Sequence, residues 1–225
     1  MAGPAETLKL PTYAARRAVD AIAIDGKLDE ASWQRAARIS DFRDIFRPER
    51  QQKFPTEAAI VWDETNLYVA FSCTDDEPWG TLTKRDDHLW NEEVVEVFLD
   101  PDGDGLNYAE LEVSPNNVVV DLLLARPRAP LDESIRWDIE GLQTAAERTP
   151  TGWVAEIAVP WISLKAAGVG AVPQPDDRWR VGLYRIKRPD RGRRKADDEY
   201  SAWSLTRADY GFHDPERFGY VQFVI

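Results

Sequence analysis

The chain has 225 residues, of which 43% are hydrophobic and 30% are charged, and its formal net charge is −12. Such acidity argues against nucleic acid and against anionic membrane surfaces as partners, because both repel a negative protein. Cys73 is the only cysteine, which excludes an intrachain disulfide, and no apolar run is long enough for membrane insertion. We therefore expect one domain over residues 1–225, with residues 1–19 as an N-terminal extension.

The amino terminus lacks the basic and then apolar pattern of a leader peptide. Acidity of this size fits a periplasmic or secreted protein. The expectation is an extracytoplasmic protein whose leader has been removed, and a cytoplasmic location is also compatible with the composition.

Segments with alternating apolar and polar residues recur along the chain, separated by turn residues. They predict about ten strands, over residues 21–24, 56–62, 67–74, 93–99, 108–114, 117–125, 152–159, 178–187, 201–205 and 220–225. Only two short helices are predicted, over residues 29–38, with Asp29 as N-cap, and over residues 161–167. This pattern predicts an all-β fold, a two-sheet antiparallel β-sandwich or jelly roll.

The segment from residue 89 to residue 105 combines an aromatic side chain with carboxylates. Trp90 precedes a predicted strand in which Glu96 alternates with Val95 and Val97, so Glu96 points to the opposite face. An aromatic ring beside carboxylates suits a sugar, which has an apolar face and a ring of hydroxyls. The alternative is a core or edge position for Trp90, since most of the nine tryptophans must be core, and a solvated strand face for Glu96.

An aspartate-rich turn follows this strand. Asp100, Asp102, Asp104 and Gly105 reproduce the first half of an EF-hand loop, but the twelfth position is Leu111 instead of a glutamate. The turn is compatible with a structural calcium ion, and no other cofactor is required. The alternative is a plain acidic turn, because aspartate and glycine accept the backbone angles of tight bends.

Signals of catalysis are weak. His88 and His213 are the only histidines, too few for a multi-histidine zinc site, and no Gly-x-Ser-x-Gly motif is present. Acidic residues are so abundant that no catalytic carboxylate pair can be singled out. We therefore expect a protein that is not an enzyme.

Five motifs occur in series from about residue 20 to the end. They are Ile-Asp-Gly-Lys-Leu-Asp-Glu at 24–30 with Trp33, Trp-Asp at 62–63 with Asn-Leu-Tyr-Val-Ala at 66–70, Trp90 with Val-Glu-Val-Phe-Leu-Asp at 95–100, Gly-Trp-Val-Ala-Glu-Ile-Ala-Val-Pro-Trp at 152–161, and Phe212 with Asp-Pro-Glu-Arg-Phe-Gly at 214–219. In this order they resemble the family 9 carbohydrate-binding modules, most closely the uncharacterised bacterial family 9-like proteins that share the Asp-Pro-Asp-Gly-Asp-Gly turn. The resemblance implies a β-sandwich of the DOMON-like class.

The resemblance also implies a site. In the sugar-binding members two tryptophans clamp a terminal sugar; Trp90 matches the first, and Phe212 falls at the second. Glu96 matches a carboxylate that bonds sugar hydroxyls. Glu112 stands where the family has an arginine, and Asp209 where it has an asparagine, so the implied saccharide site is more acidic than usual. A cation, an amino sugar or a metal-bridged ligand would suit it better than an unmodified glucan.

Two further hypotheses remain open. The charge changes at Glu112 and Asp209 are compatible with an accessory or structural domain that has lost sugar binding and docks on a partner protein or a neighbouring domain. The other hypothesis is an enzyme acting on a saccharide, which would require a close carboxylate pair or a metal in an open cleft.

Overall fold

The computed structural model describes residues 9–225 and contains mostly β-strands. The strands are β1 (Thr12–Arg17), β2 (Arg43–Asp44), β3 (Thr56–Trp62), β4 (Asn66–Thr74), β5 (Val94–Asp100), β6 (Tyr108–Val113), β7 (Val119–Leu124), β8 (Gln143–Thr149), β9 (Gly152–Pro160), β10 (Arg178–Lys187), β11 (Glu199–Ala202) and β12 (Gly219–Val224). The α-helices are α1 (Ala31–Arg35) and α2 (Leu131–Ser134), and 3₁₀ helices cover Leu89–Asn91, Trp161–Ala167, Lys195–Asp197, Ala208–Tyr210 and Pro215–Arg217. The predicted all-β fold is confirmed.

The strands pair in the order β7-β6-β5-β10-β12-β1-β3-β4-β9-β8, and β11 pairs with β10 and β2. We name β7, β6, β5, β10 and β12 the front layer, and β3, β4, β9 and β8 the back layer. Strand β1 pairs in parallel with both β12 and β3, whereas the pairs within each layer are antiparallel. The two predicted sheets are therefore joined through β1 into one curled sheet.

The core lies between the two layers. Val95 and Val97 of β5 belong to the same buried cluster as Val69 of β4 and Ile157 of β9. Burial of each such side chain contributes about 1.5–3 kcal/mol to the free energy of unfolding. The alternation that sends Val95 and Val97 inward sends Glu96 to the outer face of the front layer, as the sequence pattern predicts.

The N-terminal region differs from its prediction. Residues 1–19 are predicted as an extension, but within the described part of the chain Thr12–Arg17 form β1, with Tyr13 and Ala15 buried. Residues 21–24 are predicted as a strand, but they are irregular. Helix α1 is shorter than predicted, and the side chain of Asp20, in place of Asp29, accepts the first backbone N–H groups of α1, those of Ala31 and Ser32.

Loops cover the outer face of the front layer. A second buried cluster lies there, formed by Phe98 of β5, Tyr108 of β6, Leu122 of β7 and Tyr184 of β10 with Phe212 from the loop before β12. The loops leave a cavity over part of this face. In residues 9–225 no helix has the length and apolar character needed to cross a bilayer.

Candidate functional site

The main candidate site is the cavity on the outer face of the front layer, with a volume of about 340 Å³. We call it the Trp90 cavity. Its floor comes from β5, β6, β7 and β10, and its walls come from loops, α2 and β11. The lining residues are Ile45, Phe46, Trp90, Glu96, Glu110, Glu112, Leu122, Leu124, Arg128, Ala129, Leu131, Ser134, Ile186, Tyr200, Gly211, Phe212 and His213.

Two aromatic side chains predicted for a sugar site line this one cavity. Trp90 lies in the 3₁₀ helix before β5, is half-buried, and stacks on His88 with ring centroids 4.5 Å apart. Phe212 stacks on Tyr184 of β10 with ring centroids 4.3 Å apart and planes inclined by 11°. Each ring therefore packs against another ring.

Three glutamates form the polar part of the floor. Glu96 of β5 lies directly opposite Glu112 of β6, and Glu110 lies two residues before Glu112 on the same face. One carboxylate oxygen of each lies within 4.8 Å of the others, and all three side chains are buried. We call them the glutamate cluster. Glu110 was not predicted as a site residue, although its spacing of two from Glu112 places both on one strand face.

Burial controls the ionisation of the glutamate cluster. It raises the pKa of Glu110 to about 8, and the adjacent Glu112 carboxyl partly offsets this. Burial together with the Glu110 carboxylate raises the pKa of Glu96 well above its usual range, and burial with both neighbours raises that of Glu112. The cluster therefore retains protons at neutral pH unless a cation enters.

His213 borders the glutamate cluster in its neutral form. Burial, and next the charge of Arg128, lower the pKa of His213 to about 4. Its Nδ1 lies 3.1 Å from the Tyr108 hydroxyl and 3.9 Å from Oε2 of Glu110. His213 thus brings no positive charge to the carboxylates at neutral pH.

Arg188, at the end of β10, holds the Trp90 loop. Its Nη2 donates to the Trp90 carbonyl at 2.8 Å and its Nε to the Glu92 carbonyl at 3.2 Å, while its Nη1 pairs with Asp198. The sequence pattern gave no indication of this role, because residues far apart in the chain meet here. Arg188 therefore positions Trp90 at the cavity.

Asp209 does not reach the site. It lies exposed in the 3₁₀ helix Ala208–Tyr210, and its carbonyl accepts a hydrogen bond from Arg128. Gly211 follows with φ 62° and ψ −136°, a conformation that only glycine adopts readily, and the chain reverses there. Asp209 is thus not among the residues that line the Trp90 cavity, whereas Phe212, beyond the reversal, is one of them; the predicted contact of Asp209 with sugar hydroxyls stays a prediction.

The aspartate turn lies between β5 and β6. The Asp100 carboxylate accepts backbone N–H bonds from Gly103 and Gly105, both at 3.1 Å. Asp102 and Asp104 each accept the N–H two residues further on. Oxygens of the three carboxylates lie within 4.8 Å of one another. The hydrogen bonds explain why aspartates occupy this turn, and the structural calcium ion stays a prediction.

The family model described as "Carbohydrate family 9 binding domain-like" matches residues 24–224 of the chain. The chain belongs to this family. The match includes every residue of the Trp90 cavity, because the lining extends from Ile45 to His213. The predicted resemblance to family 9 carbohydrate-binding modules is confirmed.

The relatives of this family 9 chain include long enzymes. The chain is 26% identical over 143 residues to the exoglucanase XynX of Acetivibrio thermocellus, a match that covers 63% of this chain and 12% of the exoglucanase. It is also 26% identical over 149 residues to an "Extracellular protein" of Arthroderma benhamiae, covering 60% of this chain and 65% of that protein. The chain thus spans less than two thirds of the length of each of these relatives.

Solved structures share the fold. A family 9 carbohydrate-binding module from Caldicellulosiruptor kristjanssonii in complex with cellotriose has a TM-score of 0.67 at 14% identity, covering 95% of this chain and 94% of that one. A structure from the same organism in complex with glucose has a TM-score of 0.65 at 15% identity, covering 93% and 95%. At this identity the likeness concerns the fold alone.

Proposed function

We propose that the protein is a non-catalytic carbohydrate-binding domain that holds a terminal sugar in the Trp90 cavity. The observation that carries the proposal is that Trp90 and Phe212 line the same cavity as the buried glutamate cluster. An aromatic ring covers the apolar face of a pyranose, and carboxylates accept hydrogen bonds from its hydroxyls. The proposed ligand therefore stacks on Trp90 with Phe212 at the other side.

The dimensions and rigidity of the cavity support a small ligand. Its volume of about 340 Å³ is near the lower end for ligand sites, which suits one sugar unit at the end of a chain. The glutamates are fixed by strand pairing and Trp90 by Arg188, so little ordering is needed on binding. Stacking with a few hydroxyl bonds gives an expected Kd on the order of micromolar to millimolar.

The family supports the same ligand class. The Caldicellulosiruptor kristjanssonii modules were solved with cellotriose and with glucose. Glucose and cello-oligosaccharides are therefore the first neutral ligands to test. We also propose an extracytoplasmic location, which the name of the Arthroderma benhamiae relative supports.

The test is isothermal titration calorimetry of the chain and its Trp90→Ala variant with these sugars and their amino analogues. Removing the indole takes away the stacking surface, so we expect the association constant to fall about tenfold or more. Tyr220→Ala is the matched control, because Tyr220 is a half-buried aromatic residue of β12 that lies outside the cavity. Equal binding by the chain and the Trp90→Ala variant would remove the proposed site.

Three close carboxylates in a cavity also require a test for hydrolysis. Glycosidases flank the scissile bond with two carboxyl groups, whereas Glu96, Glu110 and Glu112 all project from one sheet face. Within residues 9–225 no lysine or arginine forms an ion pair with any of the three, and burial raises the pKa of each, whereas a carboxylate nucleophile acts in its ionised form. We expect no reducing sugar to be released from cello-oligosaccharides. If reducing sugar is released by the chain but not by its Glu112→Gln variant, the non-catalytic proposal is overturned.

A further inference from the structure

The glutamate cluster has no charged partner in the part of the chain that the structure describes. Across the described residues, its one contact with a basic side chain within 4.0 Å is His213 at 3.9 Å from Glu110, and His213 is neutral. Among residues 9–225, Oε2 of Glu110 and Oε2 of Glu112 are buried and have no hydrogen-bond partner. Both residues line the Trp90 cavity. Unpartnered buried carboxyl oxygens are costly, so a ligand that donates hydrogen bonds to them has a ready place.

The spacing of the cluster fits an ammonium group. An ammonium donates to carboxylate oxygens at about 2.8 Å, so one nitrogen can reach three oxygens that lie no more than about 4.8 Å apart. The three oxygens in the cluster lie within 4.8 Å of one another. An ammonium has three donors and one positive charge, and it meets three acceptors on one side of the cavity. A sugar hydroxyl has one donor and no charge.

The remaining walls suit a cation attached to a ring. The rings of Phe46, Trp90, Tyr200 and Phe212 line the cavity together with aliphatic side chains. Aromatic faces attract cations, most strongly where water is excluded. The same faces cover the apolar side of a pyranose.

We propose that the sugar held in the Trp90 cavity is an amino sugar, whose protonated amine binds the glutamate cluster while its ring lies against Trp90. This inference rests on the proposed function, and it names the ligand class. It explains the two acidic strands as recognition elements: Glu96 on β5, with Glu110 and Glu112 on β6, form the cation subsite.

Calcium fits the cavity less well than an ammonium group. Calcium takes six to eight oxygen ligands. Apart from the three glutamates, the lining within the described residues contains no aspartate, asparagine or glutamine, and aliphatic and aromatic side chains predominate. A metal ion bound here would therefore need several water molecules in an apolar space.

The two arginines nearest to the cluster do not neutralise its carboxyls. Arg188 lowers the pKa of Glu96 but is engaged with Asp198, and Arg128 lies exposed in the loop at the cavity wall. Tyr184, opposite Glu96 on β10, is buried and its pKa is raised by burial and the nearby carboxylates. An entering ammonium lowers the pKa of the glutamates, so it binds as protons leave.

The experiment compares three ligands that differ at one position: methyl glucoside, its 2-amino analogue and its N-acetylamino analogue. Titration calorimetry at about pH 6.5 keeps the amine protonated. We expect the amino glycoside to bind about tenfold or more tightly than the other two, as for a charge-assisted hydrogen bond. Glu96→Gln and Glu112→Gln should each reduce this preference toward parity, whereas Glu57→Gln, exposed on β3, should preserve it.

The outcomes separate the two proposals. Equal binding of all three glycosides, lost in Trp90→Ala, leaves the proposed function standing and overturns the amino-sugar inference. Binding of none of them, and of neither glucose nor cello-oligosaccharides, overturns both. If the Glu96→Gln and Glu112→Gln variants keep the preference for the amino glycoside, the inference is overturned, because the cluster then does not bind the ammonium group. A different outcome is that the chain binds calcium or manganese and no amino glycoside. If Glu112→Gln then abolishes the metal binding, the ligand of the cluster is a metal ion and the amino-sugar inference is overturned.

Discussion

At the scale of single residues, burial raises the pKa of Glu110 far above the ordinary range of a glutamate. The native protein holds this proton up to about pH 8, whereas the ordinary pKa of a glutamate is 4.5. A raised native pKa means that the native state binds more protons, so its contribution to stability is complete below about pH 4.5 and is lost as pH rises toward about 8. The free energy of unfolding should therefore fall by a few kcal/mol between pH 5 and pH 9.

Urea unfolding of the ligand-free chain at pH 5, 7 and 9 measures this loss. Glu110→Gln keeps the shape of the side chain without the titrating proton, so its free energy of unfolding should fall less between pH 5 and pH 9. Glu57→Gln serves as the control, because Glu57 is exposed on β3. An unchanged pH dependence in Glu110→Gln would show that this carboxyl does not keep its proton in the native state.

Single residues differ in how well the sequence predicts their place. Alternation along a strand places Glu96 and Glu112 on one face, and the structure puts them directly opposite each other in the cavity. Asp209 has no such rule, because it lies in a 3₁₀ turn followed by the reversal at Gly211. Asp209 lies three residues before Phe212. Such a spacing determines the face on which a side chain lies within a strand, but not across such a turn.

At the scale of elements, β10 carries charge into the interior. Arg185 and Lys187 continue the inward face of β10 beyond Leu183 and are both 1% exposed. The Lys187 amine lies 2.5 Å from Asp75, which follows β4, and 2.8 Å from Glu93, which precedes β5. This buried network joins the ends of the two layers.

Removing one partner of a buried ion network leaves uncompensated charge. Lys187→Met should lower the free energy of unfolding by about 3–5 kcal/mol, measured by urea denaturation. The double variant Lys187→Met with Glu93→Leu should recover part of this loss, because one stranded carboxylate is removed. Lys165→Met, at an exposed lysine, is the control. A loss below about 1 kcal/mol in Lys187→Met would contradict a stabilising role for the network.

Elements also differ in how well the sequence predicts them. Strands β3 and β4 are predicted almost to the residue, because the second of them alternates and polar residues at 63–65 separate the two. Strand β1 was missed. It has only two buried positions, Tyr13 and Ala15, and two basic residues at its end. Its neighbours β12 and β3 are far away in the sequence, so the interactions that make it a strand are wholly non-local.

For the whole molecule, β1 is the connection between the layers, since it alone pairs with strands of both along the main path of the curled sheet in the described chain. Five of its residues pair with β12 and two with β3. The family match begins at residue 24 and leaves β1 out. A chain that begins at Val19 therefore lacks the strand between β12 and β3 and exposes two strand edges that are paired in the full chain.

We expect the chain that begins at Val19 to unfold at a lower temperature than the full chain. Loss of the buried Tyr13 and Ala15 alone removes about 3 kcal/mol of apolar burial, which lowers the Tm of a domain of this size by about 10 °C. Its open edges should also promote self-association, visible by size-exclusion chromatography. A chain that begins at Lys9 retains β1 and should unfold cooperatively near the Tm of the full chain. If the two shortened chains unfolded at the same temperature, β1 would not stabilise the contact between the layers. The stable domain would then begin near residue 24, where the family match begins.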